Sequence, residues 1–271
     1  MIIPVSVKNQ SIDTSGITSD YKAAISEYVW NGFEANATKV SIEYTHNEAF
    51  GVKELIIKDN GEGINYNELG ETFGAFLASK KNLLSLQMKS KANKGKGRFS
   101  FIAFSNNAEW HTVYKDNDVY KEYDIAMSSD KKEVIDCSEP QLSEQNATGT
   151  EVRFFNINTL TVENMSFEVI ESALLKDFAW FLYLYKNKDA EIIVNGEKID
   201  YKKYINTDLS EKVMVTIDGY RFEINLIVWQ QSISEKFCCY YFDEKNILKG
   251  KRTTTFNHNT INFNHSVFVK S

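Results

Sequence analysis

The chain has 271 residues, 42% hydrophobic and 25% charged, with a formal net charge of −6. That length holds one large domain or two modest ones, burying roughly 70–75% of the unfolded surface. The acidic balance excludes a generally basic nucleic-acid-binding surface, and no apolar run reaches the ~18–20 residues that a membrane helix needs.

The start, Met1-Ile-Ile-Pro-Val-Ser-Val, has neither a basic n-region nor a small-residue cleavage site, so export is not expected. Cys137, Cys238 and Cys239 form no CxxC pair and lie at no zinc spacing, which reads as reduced thiols and a cytoplasmic location. His46, His111, His258 and His265 show no metal-binding spacing either.

In chain order, Met1 to Thr18 reads as a partly apolar arm able to strap onto a partner. Ser19 or Asp20 then caps a helix to about Asn36, with Ala23, Ala24, Ile25, Val29 and Trp30 as apolar positions. Glu27, Asn31 and Glu34 sit at i, i+4 and i+7, within about 60° of each other on one helix face. Such a face suits a general base (Glu27), a neutral amide oxygen for Mg²⁺ (Asn31), and a carboxylate that orients water or faces a ligand (Glu34). Ala35 and Ala37 beside them are small enough to admit a flat base. A solvated helix surface would show the same spacing, so the pattern acquires meaning only beside the motifs downstream in the chain.

Lys39 to Tyr44 and Val52 to Ile57 alternate as strands. The second runs into Asp59-Asn-Gly61-Glu-Gly63-Ile64. A carboxylate held at a strand end accepts from the exocyclic amine of adenine and would face an acceptor in guanine, while two glycines bring backbone close to a flat ring. A plain Asp-Asn-Gly turn needs only one of them. Glu68 to Ser79 reads as helical and ends at Ser79-Lys80. From Lys80 to Arg98 seven basic residues occur with no acidic one, either a solvated loop or a lid over triphosphate. Its end, Lys94-Gly95-Lys96-Gly97-Arg98-Phe99, opens a short apolar helix over Arg98 to Phe104 and offers backbone N–H groups to phosphate. No Walker A sequence and no Rossmann unit is present.

Trp110 to Tyr114, Val119 to Met127, Glu133 to Asp136 and Thr150 to Phe155 complete an antiparallel set, the last opened by Gly149-Thr150. An amphipathic helix spans about Val162 to Tyr185. Hairpins turn at Asn195-Gly196 and Asp218-Gly219, the latter joining Val213–Ile217 to Tyr220–Val228. Asn206 to Ser210 breaks the pattern, which places domains at 1–205 and 206–271. Lys245 to Thr255 reads as a loop carrying Lys249 and Lys251, and Phe263 to Val269 as a last strand.

Taken together, the Glu27–Ala35 helix motif, Asp59–Ile64, Lys94–Phe99 and Thr148-Gly149-Thr150 resemble the GHKL superfamily: gyrase, Hsp-ninety-type chaperones, histidine kinases and MutL. The match covers roughly the first 200 residues. The helix motif is similar to the ExxxNxxDA pattern of gyrase, MutL and MORC-type proteins, with Glu34 where Asp is usual; Asp59–Gly63 matches DxGxG in full; the Gly95–Gly97 stretch is shorter than the family's lid end. The resemblance implies an α+β, Bergerat-type two-layer sandwich followed by an incomplete transducer-like domain, the chain then being the front part of something longer. It implies ATP and Mg²⁺ as ligands, slow hydrolysis to ADP, and an ATP-dependent homodimer acting as a clamp or chaperone-like module on a protein or DNA partner. Ser79, Lys80 and the Thr150 hydroxyl would approach the nucleotide, and Lys249 or Lys251 would reach the γ-phosphate. A nucleotide-sensing switch with little turnover and a histidine-kinase-like phosphotransferase remain the alternatives.

Overall fold

A computed structural model describes residues 2–4, 18–72, 97–244, 247–257 and 263–271. Ser79, Lys80, Lys94, Gly95, Lys96 and most of the expected lid lie outside the described residues, as do most of the N-terminal arm and His258.

Contacts divide the chain into two units, residues 1–171 with 188–199 and residues 172–187 with 200–271. The first is built on a ten-stranded sheet. Its strands are β1 (Ile2–Pro4), β2 (Lys39–His46), β3 (Val52–Asp59), β4 (Ser105–Asp116), β5 (Val119–Ser128), β6 (Val134–Cys137), β7 (Gln141–Leu142), β8 (Gly149–Ile157), β9 (Glu191–Val194) and β10 (Glu197–Lys198). They run in the order β1-β6-β5-β4-β8-β3-β2-β9-β10, with β7 on β5. The β2–β9 pair is parallel and the other described pairs are antiparallel. The fold is the expected α+β Bergerat sandwich, with a mixed sheet and few helices.

The capping chemistry read from the sequence sets the first helix, α1 (Tyr21–Glu34). The Asp20 side chain accepts from Lys22 N at 2.9 Å. The helix stops where Asn36 takes a left-handed φ of 61°. Ala24, Ile25, Tyr28, Val29 and Phe33 form its buried face. After the short helix α2 (Leu69–Thr72), the apolar segment expected as a helix over Arg98–Phe104 is a 3₁₀ helix, Gly97–Ala103. Arg98, Phe99, Ser100 and Phe101 are buried in it, so packing against α1 decides its shape over local propensity.

Helix α3 (Phe167–Leu184) contributes residues to both units. The second unit is a five-stranded sheet of β11 (Glu211–Ile217), β12 (Tyr220–Trp229), β13 (Cys238–Phe242), β14 (Leu248–Thr253) and β15 (Asn264–Lys270), in the order β11-β12-β15-β13-β14. The two Asx-Gly turns form as expected, with left-handed φ at Asn195 and Gly196 and at Asp218 and Gly219. One expectation is corrected: within Lys245–Thr255, expected as a loop, Leu248–Thr253 is a strand paired antiparallel with β13, with a register shift between Tyr241 and Phe242. Its sequence, Leu-Lys-Gly-Lys-Arg-Thr, carries too little apolar alternation to announce a strand, and ladder hydrogen bonds to β13 supply the order instead. Of this unit's face toward α3, Trp180 stacks on Tyr240 at 5.5 Å and Tyr240 on Phe268 at 5.2 Å.

Candidate functional site

The site forms where the C-terminal half of α1 meets the ends of β3 and β8. Gly32, inside α1, makes this closeness possible. A methyl group on it would lie 2.9 Å from Asp59 Cβ and 2.9 Å from Val40 Cγ2, so a larger residue would push the helix off the strand ends. A mid-helix glycine costs about 1 kcal/mol against alanine, and that anomaly is the signal the sequence carries; Ala35 and Ala37, the small residues expected to matter, are the more conspicuous ones.

Asp59 ends β3, level with Thr150 at the start of β8. Its Oδ1 accepts from Gly61 N at 2.8 Å. Desolvation pushes the carboxyl up from 3.8 to about 6, against the lowering effect of backbone hydrogen bonds from Gly61 and Thr150. The following loop is fixed on both sides. Glu62 N donates to Ala35 O at 2.8 Å, and a methyl on Gly61 would lie 2.6 Å from that same carbonyl. Gly63 has φ +73° and lies against the Val113 carbonyl. The glycines expected to admit a flat ring thus also close the loop on α1 and β4.

Thr112, which sequence reasoning missed, ties this region together. Fully buried on β4, its Oγ1 accepts from Ile64 N at 2.9 Å and lies 3.1 Å from Thr150 Oγ1 and 3.3 Å from Gly149 O. Replacing Thr112 by valine leaves the Ile64 N–H without its acceptor. The expected loss is about 1–3 kcal/mol in denaturant unfolding, with Thr112→Ser close to wild type.

On the same helix, Glu27 at its middle and Asn31 beside Gly32 meet Gly97. A methyl on Gly97 would sit 3.3 Å from Glu27 Oε2, 3.7 Å from Asn31 Nδ2 and 3.8 Å from Asn31 Oδ1. Glu27 is half-buried and Asn31 exposed. Tyr28 holds this geometry: its buried hydroxyl donates to Arg98 O at 3.1 Å and accepts from Phe101 N at 3.2 Å. Desolvation drives its pKa far above the phenol range, so the hydroxyl keeps its proton. Arg98 lies buried beside Phe99, its guanidinium carbon 4.7 Å from the ring centroid, and desolvation lowers its pKa to about 10. Tyr28→Phe should cost about 1–3 kcal/mol, because two buried backbone groups lose their partner; urea melts would measure it.

A profile of histidine kinase-, DNA gyrase B- and HSP90-like ATPases matches residues 18–159, more than half of the chain. The chain belongs to that family. No curated protein matches it. The matched span of this gyrase B- and HSP90-like ATPase domain includes Glu27, Asn31, Asp59, Gly97 and Thr150, and the domain is of the ATP-binding, ATPase or kinase type.

Among the described residues, no group of three or more His, Cys, Asp or Glu is placed to cage a metal. His111 pairs with Asp124 at 2.8 Å. Glu34 and Ala35 lie half-buried at the end of α1. Lys249 and Lys251 belong to the second unit, where Lys249 pairs with Asp243 at 3.0 Å and Lys251 with buried Glu235. No described helix is long and apolar enough to cross a membrane.

Proposed function

We propose that the chain binds ATP with Mg²⁺ and hydrolyses it slowly to ADP, using the change to gate self-association. The observation carrying this reading is the convergence of Glu27 and Asn31 on Gly97, on the same helix whose Gly32 packs against Asp59, the desolvated carboxyl. Adenine would donate its amine to Asp59, beside the Thr150 hydroxyl. The triphosphate would then run along α1 toward Gly97, whose missing side chain leaves room beside the two polar groups. Glu27 would take the proton from a water in line with the γ-phosphate. Asn31 Oδ1 would hold Mg²⁺, which supplies charge neutralisation at the phosphate oxygens when bound.

The helix motif continues as Glu34-Ala-Asn-Ala and a second α/β unit comes after it, which supports MutL-, MORC- and Hsp-ninety-type proteins as nearer relatives than histidine kinases. A clamp or chaperone-like role on a protein or DNA partner is the corresponding biology.

Phosphate release from ATP should be measurable with Mg²⁺ and fall to background in EDTA. At low micromolar protein, Glu27→Ala with ATP and Mg²⁺ should sediment as a dimer and without nucleotide as a monomer. Phosphate release unaffected by EDTA would remove the Mg²⁺ assignment, and a monomer under saturating ATP would favour a sensing module over a clamp.

A further inference from the structure

Among the described residues, one hairpin and the segment leading into it carry five exposed large apolar side chains. Leu209, Val213, Met214, Ile217 and Tyr220 are 58%, 37%, 53%, 55% and 71% exposed, five of the twelve large hydrophobic residues exposed among those described. Four of the five lie on the β11–β12 hairpin, and β11 is the edge strand of the second unit's sheet among the described residues.

Charge protects this edge only at its start, at Glu211 and Lys212. β11 is seven residues long, pairs with β12 without a bulge from Glu211↔Leu226 to Ile217↔Tyr220, and contains no proline. The register sorts its side chains onto two faces. Lys212 pairs with Asn225, Asn225 with Phe268 and Phe268 with Tyr240, the ring on which Trp180 of α3 stacks, so Lys212, Met214 and Thr216 share the helix-covered side. Val213, Val215 and Ile217 lie on the other face, beside their partners Ile224, Phe222 and Tyr220. Six apolar side chains therefore form a patch that reaches the open edge.

The sequence of that edge complements itself. Reading outward from Val215 in Lys212-Val-Met-Val-Thr-Ile-Asp218, the flanking pairs are Met214 with Thr216, Val213 with Ile217 and Lys212 with Asp218. In an antiparallel ladder the two-fold axis passes between directly opposed residues, so a strand can pair with its own copy about a single residue. Alternate residues of an edge strand also direct their N–H and C=O outward. With Ile217 and Tyr220 closing the two-residue turn onto each other, those are Lys212, Met214 and Thr216, the residues such a pairing needs.

The geometry points to β11 as a symmetric docking edge for a second copy of this chain, joining two five-stranded sheets about Val215. Each copy sets Val213 against Ile217 of the other and brings Lys212 near Asp218 in the turn of the other, and the two apolar patches become continuous. The Lys212 ammonium lies 2.9 Å from Glu223 on β12. A seven-residue edge is small against the roughly 800 Å² per partner of a stable interface, so the pair should be weak and should need no nucleotide. It is independent of the ATP-gated association proposed above.

Sedimentation velocity of the full chain without nucleotide, across a range reaching hundreds of micromolar, tests this. A concentration-dependent dimer is expected. Lys212→Asp sets like charges opposite each other at both ends and should weaken it about tenfold. The swap Lys212→Asp with Asp218→Lys should restore it, which a folding defect would not do. Val215→Lys should abolish it while leaving ATP-dependent association intact. A strict monomer throughout the range, or a dimer indifferent to both Val215→Lys and the charge reversal, would overturn the proposal without touching the nucleotide site.

Discussion

Replacing Glu27 by alanine should leave ATP bound and slow its hydrolysis by roughly 10²–10⁴-fold, the usual contribution of a positioned general base. The split between binding and rate comes from where Glu27 lies. It sits five residues before Gly32, where α1 meets Asp59, roughly 7–8 Å along the helix, and it faces Gly97, so its carboxylate contributes little to holding the base. Calorimetry with ATP and a phosphate-release assay on the same preparation would separate the two quantities. An equal loss of affinity and rate would make Glu27 a structural residue, and undiminished turnover would remove the mechanism.

Asp59 should show the second large effect, with opposite signs for binding and stability. Asp59→Ala deprives the adenine amine of a charged acceptor and should weaken ATP by about 10–150-fold, equivalent to about 1.5–3 kcal/mol. Asp59→Asn should make the nucleotide-free protein more stable at neutral pH. The folded carboxyl sits at about 6 and its ordinary value is 3.8, so the native state holds the proton more tightly than the unfolded chain. The contribution of this carboxyl to stability is then greatest below pH 4 and declines as pH rises through about 6, where the buried carboxylate must ionise.

Asparagine abolishes that ionisation and keeps an oxygen for the Gly61 N–H. Its advantage should therefore be absent near pH 4 and reach about 1–3 kcal/mol by pH 7.5. Paired thermal melts at the two pH values would check it. An Asn variant less stable than wild type at pH 7.5 would mean that the hydrogen bonds outweigh desolvation. The desolvation penalty would have a functional side, because a ligand donating to the carboxylate would relieve it.

Local chemistry determined a good deal by itself. Asp20 caps α1, Asn195-Gly196 and Asp218-Gly219 turn their hairpins, and the alternation in Lys39–Tyr44 and Val52–Ile57 becomes strands, because each depends on residues within a few positions of one another. The family was legible for the same reason: its motifs are short and ordered along the chain, and the matched span from 18 to 159 contains them. The tertiary structure decided what depends on distant partners. Thr112 lies 48 residues from Ile64 and Tyr28 lies 70 from Arg98, so no spacing in the sequence could reveal that one pins the Asp59 loop and the other sets Gly97 against Glu27. The polar strand Leu248–Thr253 is ordered by β13, and Gly32 has meaning only because Asp59 and Val40 close on it across the sheet. Helix caps and turns are settled by energies of neighbouring residues, whereas close approach and ladder pairing are settled by which surfaces the whole chain brings together.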